Sequence, residues 1–176
     1  MYKLREIERK DVPVINKWRN DKTLIDYLGA PFRYINSEVD SKWFDSYMAN
    51  RSTAVRCAVT SDDSDEILGL ASLVSINHMN GSAEFHIMIG SSADRGKGMG
   101  TFAVKEMLRH AFFNLNLHRI ELSVVDGNER AKRFYEKVGF VYEGKKREAR
   151  YKNGKYADML MYSILKSDFL KTEEGV

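Results

Sequence analysis

The stretch with the strongest chemical character is Arg95-Gly96-Lys97-Gly98-Met99-Gly100-Thr101, three glycines at alternate positions interleaved with two cations. It follows the apolar run Ala83-Glu84-Phe85-His86-Ile87-Met88-Ile89 and leads into a helical pattern from Met99 to Leu115. A strand, a glycine-rich turn and a helix in that order gather free backbone N–H groups at a helix N-terminus, which suits a phosphate or pyrophosphate. The glycines let the backbone approach a ligand with no Cβ in the way. A surface turn with incidental cations has the same composition. Glu84 and His86 lie two residues apart and so share a strand face. They read equally as an acid–base pair or as a cross-sheet carboxylate beside a core histidine. Tyr135, by spacing alone, is a core residue on the inner face of a helix. His78, His110 and His118 are scattered and Cys57 is the only cysteine, so neither a metal site nor a disulfide framework can be built.

Two phosphate-binding signatures can be tested against the loop. No register supplies the Gly-x-x-x-x-Gly-Lys-Ser/Thr of a P-loop. Gly98, Gly100 and Ala103 fit a dinucleotide fingerprint, with Glu121 near its acidic position. In that register, however, Gly100 falls inside the helix and almost half the chain precedes the supposed first unit. What the loop does contain is Arg-x-x-Gly-x-Gly, Arg95 to Gly100.

The 176 residues predict a single domain over 1–170 with a short tail, 171–176. A hydrophobic content of 43% with two prolines is that of a globular chain. The net charge of +3 comes from interleaved cations and anions, which argues against a nucleic-acid partner. No apolar run reaches membrane-spanning length and the N-terminus has no signal-peptide pattern, so a cytoplasmic protein is expected.

Alternation predicts a first strand at Tyr2 to Ile7. Asp11 is placed to cap a helix bearing Val12, Ile15 and Trp18. A second helix holds Leu24, Ile25 and Leu28 before Gly29, and a third, capped by Asn36 or Ser37, turns Val39, Trp43, Phe44 and Tyr47 inward. These pieces form either a wall facing a substrate or a plain cap over one sheet edge. Three antiparallel strands follow, at 53–60, 67–76 and 83–89, with an acidic turn at Ser61 to Asp65. After the glycine loop come a helix with an apolar stripe from Ala103 to Leu115 and a strand at His118 to Val125. Next is a helix from Asn128 to Gly139, then a hairpin around Lys152-Asn153-Gly154-Lys155. The order is that of a mixed α/β domain.

Two motifs carry a family resemblance: Arg95-x-x-Gly98-x-Gly100, and Asn128-x-x-Ala131-x-x-Phe134-Tyr135-x-x-x-Gly139-Phe140. Together they resemble the GNAT family of acetyl-CoA-dependent N-acetyltransferases. The run Glu143-Gly144-x-x-Arg147-Glu148, with Gly154 and Asp158, is similar to the RimJ/RimL branch that acts on ribosomal proteins. The resemblance implies a GNAT fold, with a mixed, mostly antiparallel sheet of about seven strands and about four helices, splayed at a cofactor slot. It implies acetyl-CoA as cosubstrate, held at Arg95, Gly96, Lys97, Gly98, Met99, Gly100 and Thr101. The coenzyme arm would lie along Ile87, Met88 and Ile89, with Asn128 and Lys132 beside it and an amide near Met88 polarising the thioester. No metal is required. Tyr135 would be the acid that protonates the departing thiolate, since a phenol with a pKa of about 10 keeps its proton at neutral pH. Glu84 or His86 would take the proton of the amine.

The acceptor is expected to be a small-molecule amine or a peptide N-terminus. Ser72-Leu73-Val74-x-Ile76 and Ala83-Glu84-Phe85 resemble spermidine N-acetyltransferases, which carry acidic residues after their first helices. Here Gly29 to Tyr34 holds no carboxylate. Trp18-Arg19-Asn20 resembles acetyltransferases of nucleotide-linked amino sugars, which makes Trp18, Arg19 and Arg33 candidate substrate contacts. A non-catalytic acetyl-CoA sensor is the alternative to an enzyme. A monomer or homodimer is expected.

Overall fold

The computed structural model describes residues 1–91 and 96–174. Strand β1 (Tyr2–Glu6) leads through α1 (Val12–Arg19), α2 (Lys22–Leu28) and α3 (Ser37–Ala49) into a meander of β2 (Val55–Ser61), β3 (Ser64–Asn77) and β4 (Ser82–Ile89). Helix α4 (Met99–Arg109) carries the chain to β5 (Arg119–Val125). Then α5 (Glu129–Val138) leads to the hairpin β6 (Val141–Lys152) and β7 (Lys155–Leu165), and α6 (Lys166–Glu174) follows. The strands form one sheet in the order β1-β2-β3-β4-β5-β7-β6. Neighbours are antiparallel except β4 and β5, which the α4 crossover makes parallel. This is the expected mixed sheet, with six α-helices among the described residues.

Residues alternate between the two faces of the inner strands. Val59, Ala71, Leu73 and Phe85 turn to α4, whose Ala103, Val104, Met107 and Leu108 are buried against them. Ala58 and Leu70 turn to the other face, under Val12 and Ile15 of α1 and Phe44 and Tyr47 of α3. Helix α6 takes in residues 171–174, and its Phe169 is buried with its ring 5.5 Å from that of Phe112.

Two local expectations change. Asp11 does not cap α1; its buried carboxylate accepts from Arg5 Nη1 and Nη2 at 2.7 and 2.8 Å and from the Glu8 N–H at 2.8 Å. A buried carboxylate is better stabilised by a bidentate guanidinium than by one amide. Val39 faces solvent, and Asp40 takes the inward position. Fully buried, Asp40 accepts from Asn16 Nδ2 at 2.7 Å and pairs with Arg19, which fastens α1 to α3.

The feature that positions a site is the short seam between β4 and β5. They pair only through Ser82, Ala83 and Glu84 against Arg119, Ile120 and Glu121.

Candidate active site

Beyond Glu84 and Glu121 the two strands part around a cleft of about 870 Å³. The hydrogen-bond phase identifies the backbone groups that face it. The Gly90 N–H bonds the Leu68 carbonyl at 3.0 Å. The antiparallel pairs in step with it, Leu70 with Met88 and Ser72 with His86, are therefore the hydrogen-bonded ones. Ile87 and Ile89 lie out of step, so their N–H and C=O groups turn away from β3 and into the cleft. On β5 the Asp126 N–H bonds the Asp158 carbonyl at 2.9 Å, and the same reasoning turns the backbone of Ser123 and Val125 inward. An extended amide chain lying here would be held as an added strand.

The glycine loop closes one end. Gly96 and Gly98 have φ of +83° and +87°, and a Cβ on either would meet no protein atom within 4 Å. The left-handed backbone thus leaves open space where a ligand can reach the amides. The first helical bond of α4 runs from the Phe102 N–H to the Gly98 carbonyl at 2.9 Å. The amides of Met99, Gly100 and Thr101 precede it and point out of the helix end. Gly100 has a different role: a Cβ there would lie 3.4 Å from Phe134 Cζ, so it permits the close approach of α4 and α5. Gly96, Gly98, Gly100, Thr101 and Asn128 line the cleft. Asn128 also caps α5, accepting from the Ala131 N–H at 3.1 Å. The Met99 side chain is buried in the core, which leaves its amide for a ligand. Lys97 is exposed and its side chain does not line the cleft. Lys132 bonds Glu129 at 2.9 Å and does not line it either. Arg95 lies outside the described residues.

Tyr135, Glu84 and His86 all line this one cleft. The Tyr135 ring sits edge-on to Phe134 and Phe140, with centroids 5.0 and 5.6 Å away. Burial in that aromatic setting pushes its phenol well above the ordinary range. Glu84 Oε1 lies 3.1 Å from His86 Nε2. That hydrogen bond, ahead of the charges of Arg150 and Lys146, holds the Glu84 carboxyl below its usual value. Opposite conditions prevail at Cys57, whose thiol burial pushes up to about 11, so it is not a nucleophile at neutral pH. Among the described residues, no three His, Cys, Asp or Glu side chains cluster as metal ligands.

The end of α2 forms the opposite lip through Tyr27, Leu28, Gly29 and Ala30. Gly29, at φ +75°, lets the turn press onto β5, since a Cβ would meet Val125 Cγ2 at 2.5 Å. The β6–β7 tip fastens this lip: Lys152 donates to the Asp26 carbonyl, and Asn153 Nδ2 reaches Asp26 Oδ1 at 3.3 Å. From α5, Arg130 lies over the Tyr27 ring at 5.7 Å. Trp18, Arg19 and Arg33 do not join them. Trp18 lies against the Gly90 backbone, Arg19 pairs with Asp40, and Arg33 is exposed. Asn20 bonds both backbone groups of Ile35, at 2.7 and 3.0 Å, so Trp18-Arg19-Asn20 acts as a clamp between α1, α3 and β4. The polar side chains found in the cleft instead include Arg56, Ser72 and Arg150. Arg56 was detectable, because it alternates in register with the inward Ala54 and Ala58. Arg150 gave no such signal.

A protein-family profile described as an acetyltransferase (GNAT) domain matches residues 2–141. The spermidine N(1)-acetyltransferase of Vibrio cholerae is 33% identical over 172 residues, 97% of this chain and 96% of that one. A ribosomal N-acetyltransferase-like protein of Bacillus subtilis is 34% identical over 103 residues, 58% of this chain and 56% of its own length, so the RimJ/RimL likeness is the looser one. The crystal structure of the Vibrio cholerae spermidine N-acetyltransferase with CoA and spermine superposes with a TM-score of 0.89. It is 31% identical and covers 96% of this chain and 98% of its own.

Proposed function

Since the chain belongs to the GNAT acetyltransferase family, an N-acetyltransferase family with acetyl-CoA as cosubstrate, we propose that it acetylates a small-molecule primary amine by direct attack in a ternary complex. The observation that carries this reading is the meeting of a protonated phenol with a carboxylate–imidazole pair in one splayed cleft. Gly96, Gly98 and the first amides of α4 would take the pyrophosphate. The Ile87 and Ile89 backbone would pair with the pantetheine arm, and one of these two N–H groups, rather than that of Met88, would polarise the thioester carbonyl. The amine attacks that carbonyl and passes a proton toward Glu84 and His86. As the carbon–sulfur bond breaks, Tyr135 donates its proton to the sulfur. Cys57, the chain's one cysteine, packs against the α4-side core and does not line the cleft, which supports direct attack over an acyl-cysteine route. The bonds from the β6–β7 tip to Asp26 hold the hairpin against the end of α2, one lip of the cleft, which supports a small amine over a polypeptide N-terminus.

Thiol release from acetyl-CoA in the presence of primary amines tests this. Tyr135→Phe should lower kcat by roughly a hundredfold or more, with acetyl-CoA affinity by calorimetry little changed. Equal turnover in the variant would remove Tyr135 from the mechanism. Intact acetyl-CoA binding with no thiol release for any primary amine would favour the sensor reading.

A further inference from the structure

Resting on the acetyl-transfer reading, we infer that the acceptor carries an anionic group, a carboxylate or a phosphate, besides its amine, and that Arg56 and Arg150 receive it. Glu84 is the only carboxylate among the described residues lining the cleft, against four cations, Arg56, Arg130, Lys137 and Arg150. Arg130 is stacked on Tyr27, and Lys137 shares its helix. Arg56 and Arg150 are different: the Nε of each is buried with no hydrogen-bond partner. Among the described residues neither forms an ion pair. The nearest polar contact of Arg56 is a long one, Nη1 to Ser72 Oγ at 3.4 Å. Its guanidinium is held over Trp43 at 4.9 Å and Tyr47 at 5.8 Å. Each guanidinium is partly withdrawn from water with no carboxylate of the described residues bonded to it, which carries a cost, and a planar fork is matched to a carboxylate or phosphate.

The sheet register relates this anion site to the amine site. Arg56 pairs with Ser72, and Ser72 with His86, so the three lie in one row across β2, β3 and β4. Two strand spacings put the Arg56 and His86 backbones about 10 Å apart, and the long Arg56 side chain shortens the remaining gap. An amine a few carbons from its anion can therefore span the two sites. Arg150 acts on the Glu84 carboxylate from the same cleft. A polyamine would instead bring its further positive charges against these two guanidiniums.

Matched pairs of amines decide the matter: O-phosphoethanolamine and ethanolamine, glucosamine 6-phosphate and glucosamine, β-alanine and β-alaninamide, with spermidine alongside. Two readouts are taken on the CoA-loaded or acetyl-CoA-supplied protein, calorimetric binding and thiol release. At least one anionic member should exceed its neutral partner by roughly ten- to a hundredfold in Kd or kcat/KM. In Arg56→Met and Arg150→Met that ratio should fall toward one, and in the Lys variants it should recover in part. The phosphate and carboxylate pairs tell which anion is taken. A preference for spermidine, anionic members no better than neutral ones, or ratios unmoved in both Met variants would overturn the inference while leaving acetyl transfer standing. Selective binding of an anionic amine without thiol release would uphold the site and overturn the transfer reading.

Discussion

In the proposed reaction one proton must leave the attacking amine, and Glu84 Oε1 and His86 Nε2, 3.1 Å apart, would share it. The lowered pKa of Glu84 keeps it ionised at neutral pH, so in the proposed reaction it would draw an ammonium into the cleft and help to remove its proton. Glu84→Gln abolishes that help. The loss in kcat/KM should be about tenfold or more near pH 7 and should shrink as the pH rises toward the pKa of the amine, where the acceptor enters already neutral. A penalty equal at every pH would make Glu84 a purely structural residue. The pair was legible in the sequence because period-two alternation places both residues on one strand face. The nearby charge of Arg150 was not legible, since its approach depends on how the final hairpin folds back.

At the scale of elements, the outer hairpin is tied to the rest of the sheet by an ion pair that spans β7. Arg119 on β5 donates to Glu143 on β6 at 2.7 Å, and Ser163 on the intervening β7 donates to the same carboxylate at 2.7 Å. The Arg119 hydrogen bond is the main reason that the Glu143 carboxyl falls from 4.5 to about 2. A folded-state value below the unfolded one means that the unfolded chain binds more protons in this window. The pair therefore contributes fully above pH 4.5, and its contribution is lost as the pH falls toward 2. Glu143→Gln should flatten the dependence of urea stability on pH below 4.5; a slope equal to that of the wild type would show that the pair adds nothing to the sheet. The hairpin itself was evident from its Asn-Gly turn, but its place beside β5, with β7 rather than β6 innermost, was not.

For the whole molecule, the two-layer core continues through α6. Phe169, 1% exposed, packs against Phe112 at the far end of the α4 layer. Phe169→Ala should cost about 3–5 kcal/mol in chemical denaturation. A loss below about 1 kcal/mol would mean that α6 merely rests on the domain. The short polar stretch after Leu165 gave little reason to expect a helix, because one buried phenylalanine makes no periodic signal. Its helical state comes from the surface it covers, as is usual for short helices.

The sequence by itself determined the order of strands and helices as far as β7, the glycine-loop helix terminus, the strand holding Glu84 and His86, and the Tyr135 helix. Each of these is written in local periodicity, turn chemistry or motif spacing, which require no knowledge of distant contacts. The tertiary structure alone decided where β4 and β5 part, that the Ile87 and Ile89 amides face the gap, and that Arg19 serves Asp40 while Arg150 enters the cleft. Those outcomes depend on hydrogen-bond phase between strands and on pairings across long stretches of chain. A side chain's type limits what it can do, but its neighbours decide which of those things it does.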